Sequence, residues 1–126
     1  MLNFAIQTAR AAGHLLAERF GHALRISNKS ELDLVTEADL ASERLIIERI
    51  KTNYPRHSIL AEESGASAPA DQEAQGEWRW IVDPLDGTTN YAHGYPCFCV
   101  SMGLEHQGKL ELGVIYDPLR DELFTA

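Results

Sequence analysis

The sequence predicts a mixed α/β fold, in which two N-terminal helices pack on a largely antiparallel sheet. Three observations predict it. Before residue 55, apolar residues recur every three or four positions through two long segments, the period of a helix with one buried face. From Ser58 onward, short apolar-rich runs alternate with turn residues, the pattern of strands. With 126 residues, 44% of them hydrophobic and 24% charged, the composition fits one globular domain over 1–126 and excludes a mainly disordered chain.

The first helix is expected from Leu2 to Phe20, where Ala5, Ala9, Ala12, Leu16 and Phe20 form the buried stripe and Gly21 stops it. Its Ala- and Gly-rich face lets another helix approach closely. A polar stretch, Ser27 to Asp33, leads to Thr36, which caps the second helix with Asp39 three residues on, in a capping box. Ala38, Ala41, Leu45, Ile46, Ile50 and Tyr54 form the expected stripe of that helix, Arg44 and Glu48 pair on its outside, and Pro55 ends it.

Ser58 to Ala61 reads as a short strand running into Glu62 and Glu63, and Ser64 to Gly76, rich in Ala, Ser, Gly, Pro and Asp, reads as a surface loop. A second strand, Trp78 to Val82, ends at Asp83 and Pro84, and Asp86-Gly87-Thr88-Thr89-Asn90 is a turn placed to open a helix. Phe98 to His106 and Lys109 to Tyr116 flank Gln107-Gly108 as a hairpin, and Glu122 to Thr125 is a last strand. That strand runs to the end without a polar tail, so the expected sheet belongs to something longer.

Nineteen acidic and eleven basic residues give a formal charge of -8, and no Lys/Arg cluster stands out, which argues against direct nucleic-acid binding and in favour of cations as partners. No stretch approaches the ~20 apolar residues of a membrane span, and Gln7, Arg10, His14, Glu18 and Arg19 interrupt the first segment, so it is no secretory signal either. Cys97 and Cys99 lie one residue apart on an expected strand, pointing to opposite faces. Both read as reduced, buried small hydrophobes, in keeping with a cytoplasmic protein.

The segment that carries chemistry is Trp80-Ile-Val-Asp-Pro-Leu-Asp-Gly-Thr-Thr-Asn90. A buried strand delivers Asp83, Pro84 fixes the turn and Asp86 follows three residues later, so two hard oxygen donors face one point. That set, with a backbone carbonyl such as that of Leu85, suits magnesium, which keeps several of its waters. Gly87 allows close backbone approach, and Thr88 and Thr89 place N–H groups and hydroxyls where a phosphate binds. A helix-loop-helix calcium site fails, because aligning Gly87 with its glycine puts Pro84 and His93 at ligand positions. An Asp-Pro-x-Asp-Gly turn is by itself an ordinary strand ending. Two further acidic clusters, Glu62 with Glu63 and Asp33 with Thr36 and Asp39, strengthen the metal reading.

Asp33-Leu-Val-Thr-Glu-Ala-Asp39 with Glu43 one turn on, Ala61-Glu-Glu-Ser64, the Trp80 to Tyr91 block and Gly94-Tyr-Pro96 resemble, in order and spacing, the signature blocks of the inositol monophosphatase family. The resemblance runs over essentially the whole chain. It implies the fold shared with fructose-1,6-bisphosphatase-like sugar phosphatases and magnesium-dependent hydrolysis of a small phosphate monoester, most like myo-inositol 1-phosphate, with two or more ions. By position, Glu62, Asp83, Asp86 and the Leu85 carbonyl match metal ligands, and Thr88 with Asp39 matches the pair that orients the attacking water. The Gly87 and Thr88 amides beside Asp86 match the substrate cradle, Glu63 an adjacent acidic position, and Lys29 a basic loop. Ala61 stands where the family usually has Gly. Family members are roughly twice as long, and their second half supplies another metal-binding aspartate and most of the substrate pocket.

The resemblance also implies lithium inhibition and a homodimer at full length. Fructose-bisphosphate, nucleotide 3'-phosphate and histidinol phosphate readings share the same metal blocks. Two rivals come from other classes: a non-catalytic binding protein that partners a transcription complex, and an inactive fragment.

Overall fold

The computed structural model describes residues 1–22, 26–28, 34–67 and 77–126. Helix α1 spans Leu2–Arg19 and buries Ala5, Thr8, Ala9, Ala12, Gly13 and Leu16, the stripe its periodicity predicts; Phe20 leaves the helix with extended backbone. The small-residue face does admit a close neighbour, but that neighbour is a strand as well as a helix. A Cβ on Gly13 would lie 2.5 Å from the Tyr116 ring.

Helix α2, Glu37–Asn53, opens on the predicted capping box. The Thr36 hydroxyl oxygen accepts from the Ala38 and Asp39 amides, and Asp39 Oδ2 accepts from the Thr36 amide at 2.9 Å. Its buried face differs from the expected stripe. Ala38, Ile46 and Ile50 are buried, but so are Asp39, Ser42 and Glu43, whereas Ala41 and Leu45 are partly exposed. Hydrogen bonds to distant loops account for the rotation. Arg44 and Glu48 form no ion pair among the described residues; both line a shallow hollow beside Arg19 and Glu37.

Strands β1 (Ile26–Asn28) and β2 (Leu34–Thr36) pair antiparallel as a separate two-stranded sheet just ahead of α2, where only a polar connection was expected. The main sheet contains β3 (Ser58–Ala61), β4 (Gly65–Ser67), β5 (Trp78–Asp86), β6 (Cys99–His106), β7 (Lys109–Asp117) and β8 (Glu122–Thr125). Its order is β4-β3-β5-β6-β7-β8, antiparallel throughout except for β3 beside β5. The architecture is thus the predicted mixed, largely antiparallel sheet with helices. Strand β4 falls at the start of the segment read as loop, and residues 68–76 lie outside the described residues.

Strand β5 does not stop at Val82. Asp86 still pairs with Cys99, across a bulge between Asp83 and Asp86. Pro84 has no N–H for the ladder, so the strand bulges there and its register shifts between the two aspartates. Between β5 and β6 sits the five-residue helix α3, Thr88–Ala92.

Trp80, Val82, Val100, Met102, Leu104, Val114 and Tyr116 form one core with the apolar face of α1 and with Ala38, Ile46 and Ile50. The opposite sheet face leaves Leu60, Ile81, Leu110, Ile115 and Phe124 exposed. Cys97 and Cys99 are both free thiols, but neither is buried: Cys97 is exposed in the turn before β6 and Cys99 is half-buried. The Cys97 amide is held by the Tyr95 carbonyl, which keeps that residue off the strand. No described helix is long and apolar enough to cross a membrane.

Candidate metal and phosphate site

At the carboxyl ends of the parallel pair β3 and β5, two loops meet the start of α2 and the start of α3. The Glu62 amide donates to the Val82 carbonyl at 3.1 Å, which ties the turn after β3 to β5 just before Asp83. Parallel strands bring their like ends together, so Glu62 and Asp83 share one edge although 21 positions separate them in the sequence.

Asp83 is half-buried, and its Oδ1 accepts from the Leu85 amide at 3.2 Å, bracing the bulge. Burial first, then a hydrogen bond and charge from Glu62 and the charge of Asp86, push its carboxyl up to about 7. A carboxyl raised by two neighbouring carboxylates marks a pocket that favours positive charge. Glu62 and Asp86 are exposed at its mouth.

Thr88 opens α3 and links this cluster to α2. Its hydroxyl lies 2.7 Å from Asp39 Oδ1 and 3.1 Å from the Leu85 carbonyl oxygen. One hydroxyl carries one proton, and the shorter contact to an ionised partner takes it. The Thr88 lone pairs and the Leu85 carbonyl are then adjacent oxygen donors with no proton between them, an arrangement that a cation or a water relieves. Asp39 is fully buried, and its other oxygen accepts from the Thr36 amide and hydroxyl, at 2.9 and 2.5 Å.

Gly87 turns the chain into α3 with φ 97°. A Cβ there would lie 2.8 Å from the Cys97 carbonyl oxygen, so conformation and space both demand glycine. By their position in the first turn, the Thr88, Thr89 and Asn90 amides have no intrahelical acceptor, which suits an anion. Tyr91 anchors the short helix, its hydroxyl donating to the Leu16 carbonyl at 2.7 Å. Exposed His93 contacts the Thr89 carbonyl through Nδ1 at 2.7 Å and only closes the helix.

All of Asp39, Glu62, Asp83, Leu85, Asp86, Gly87 and Thr88 therefore lie around one edge of the sheet. Asp33 and Lys29 lie outside the described residues. Among the described residues, no three Asp, Glu, His or Cys side chains close a metal cage by themselves. The donor set still fits magnesium, which takes one or two carboxylates, a carbonyl and waters instead of a full protein cage. The Cys99 thiol is held in its protonated form. Burial, then Asp86 and Asp83, push its thiol up to about 12.

Two residues contribute that the sequence reading gave no role, Ser42, which it did not single out, and Glu43, which it named only as part of a signature block. Ser42 donates to the Pro84 carbonyl at 2.7 Å, and Glu43 Oε2 accepts from the Glu63 amide at 2.8 Å. The available signal was their spacing from Asp39, three and four positions on, which places all three on one helix face.

Comparison with known proteins gives one consistent family. The model of the Inositol monophosphatase family matches residues 1–126. The chain is 48% identical to the Nus factor SuhB of Pasteurella multocida over 128 residues, covering 100% of this chain and 46% of that protein. It is 46% identical to Inositol monophosphatase 2 of Solanum lycopersicum, covering 99% and 47%. Among solved structures, the extragenic suppressor protein suhB from Bartonella henselae superposes with a TM-score of 0.92 at 43% identity, covering 99% of this chain and 48% of that one. The chain spans about half the length of the curated relatives it matches.

Proposed function

The chain belongs to the inositol monophosphatase family, and from that premise we propose that it carries the metal- and phosphate-binding half of a magnesium-dependent phosphomonoesterase. Its substrate on this reading is a small phosphorylated polyol, myo-inositol 1-phosphate first. The observation that supports it most is the Asp39–Thr88 hydrogen bond beside the Leu85 carbonyl, next to Asp83, whose carboxyl Glu62 and Asp86 both raise.

Glu62, Asp83, Asp86 and the Leu85 carbonyl would hold the cations. When bound, magnesium supplies the positive charge that lets an acidic pocket accept a phosphate monoester, and it acidifies a water at neutral pH. Thr88, its own proton committed to Asp39, presents lone pairs that would accept from an attacking water and fix its direction. Asp39, held by Thr36 and shielded from solvent, keeps the hydroxyl oriented and receives proton density as the water attacks. The Gly87 and Thr88 amides hold phosphate oxygens. On this reading water attacks directly and no covalent enzyme intermediate is needed. Lithium inhibition, a homodimer at full family length and a cytoplasmic setting belong to the same reading.

The test is magnesium-dependent phosphate release from myo-inositol 1-phosphate by this chain and by a version extended to the length of its relatives. Release by the extended form, abolished by Asp86→Asn, is the expected result. Absence of release from this and other phosphate esters, with folding intact, refutes it. A second reading, a protein-binding role in a transcription complex, is favoured by relatives named Nus factor. An extended chain carrying Asp83→Asn that keeps its effect in cells would select that reading.

A further inference from the structure

Helix α2 carries three polar residues on one buried face, and each bonds to a different segment of the candidate site. Asp39 is 0% exposed and accepts from Thr88 at the start of α3. Ser42 is 0% exposed and donates to the Pro84 carbonyl, inside the bulge between Asp83 and Asp86. Glu43 is 4% exposed and accepts from the Glu63 amide, in the turn that carries Glu62.

Burying polar groups on a helix face that apolar side chains could fill costs stability unless each group is bonded. Here each one is, and each bond reaches across 20 to 49 positions of sequence. At Ser42 and Glu43 an apolar residue could fill the same buried face. It would not set the distance between the loops.

We propose that Ser42 and Glu43 are positioning residues that, with Asp39, make α2 a rigid rail aligning the three loops of the metal site. Glu43 sets where the Glu62 turn stands, and Ser42 sets the bulge that aims Asp83 and Asp86. A helix is suited to this, because residues three and four apart stand about one turn, or ~5–6 Å, from each other on a stiff rod. The inference rests on the metal reading of the site for its functional consequence, though its geometric half does not.

The test compares Glu43→Ala, Glu43→Gln and Ser42→Ala with Thr8→Val. Thr8 is equally buried and accepts from Arg49 Nε at 3.1 Å, further along α2 and away from the loops, so Thr8→Val loses a buried hydrogen bond without touching the site. Mn2+ binding is read by paramagnetic resonance, with Mg2+ as competitor, and backbone amide exchange is read at Glu62–Ser64 and Leu85–Gly87 without metal. Glu43→Ala is expected to weaken Mn2+ binding by ~10- to 100-fold, the usual loss when a group that orients a ligand is removed. Glu43→Gln keeps an acceptor oxygen and restores most of that loss, while Thr8→Val leaves the affinity unchanged.

Ser42→Ala trims a single hydroxyl and reads the same effect should Glu43→Ala fail to fold. Equal affinity in Glu43→Ala, Ser42→Ala and Thr8→Val overturns the proposal. If the unaltered chain binds no Mn2+, the metal reading falls by itself. The amide exchange then decides: faster exchange at Glu62–Ser64 in Glu43→Ala than in Thr8→Val keeps the rail, and equal exchange removes it.

Discussion

Replacing Thr88 by Val tests whether the link between α2 and α3 has the energy its geometry implies. Valine puts a methyl of similar size where the hydroxyl stood, so the change chiefly removes the hydrogen-bonding group. Asp39 is fully buried and accepts from the Thr36 amide, the Thr36 hydroxyl and the Thr88 hydroxyl. Losing the last leaves an ionised oxygen short of a donor, which costs about 1.5–3 kcal/mol for a hydrogen bond to a charged group. A chain of 126 residues has an unfolding entropy near 2.1 cal/mol/K per residue, so that loss lowers the melting midpoint by roughly 6–11 °C. Thermal unfolding by circular dichroism measures it, and Thr88→Ser, which keeps the donor, should recover most of the difference. In the extended chain, Thr88→Val should cut phosphate release by ~10²–10⁴-fold if the hydroxyl directs the attacking water. A midpoint within about 2 °C of the unaltered chain, below the smallest cost above, would refute the reasoning. A double-mutant cycle with Asp39→Asn assigns the energy to the pair.

Three other substitutions separate conformation, proton binding and charge. Gly87→Ala should destabilise by about 1–3 kcal/mol, because it demands a strained backbone and a Cβ 2.8 Å from the Cys97 carbonyl, whereas Gly94→Ala, where nothing lies within 4 Å, pays only the cost of positive φ; urea unfolding of both variants compares them. Burial holds the His57 pKa below its ordinary 6.5, and its Nδ1 accepts from the Trp80 indole at 3.1 Å. Between the two values the unfolded chain binds a proton that the folded chain does not, so stability is complete above 6.5, declines as pH falls through it and levels off below the folded value. His57→Phe should therefore have a smaller difference between its urea midpoints at pH 8 and pH 5.5 than the unaltered chain; an equal difference rejects the assignment. Asp83→Asn should raise the melting midpoint in EDTA at pH 8, since it removes a charge that burial, Glu62 and Asp86 all oppose, and should abolish stabilisation by added magnesium. A lower midpoint in EDTA counts against the charge-repulsion reading.

What could be read locally was read from the sequence. Periodicity fixes the limits of α1 and α2, the spacing of Thr36 and Asp39 defines a capping box, and Gln107-Gly108 marks the β6–β7 turn, because each depends on residues within a few positions of one another. The signature blocks likewise name Asp39, Glu62, Asp83, Asp86 and Thr88 as a set. Tertiary structure decided how that set meets. The parallel pairing of β3 with β5 puts Glu62 beside Asp83, and no local pattern announces which strand will pair with which. The bulge at Pro84 carried β5 on to Asp86, and a turn held by backbone bonds left Cys97 exposed where a strand had been expected to bury it. Above all, α2 turns Asp39, Ser42 and Glu43 inward instead of Ala41 and Leu45. Hydrophobic periodicity treats a polar residue as solvent-facing, and it fails where partners 20 to 49 positions away satisfy the buried group.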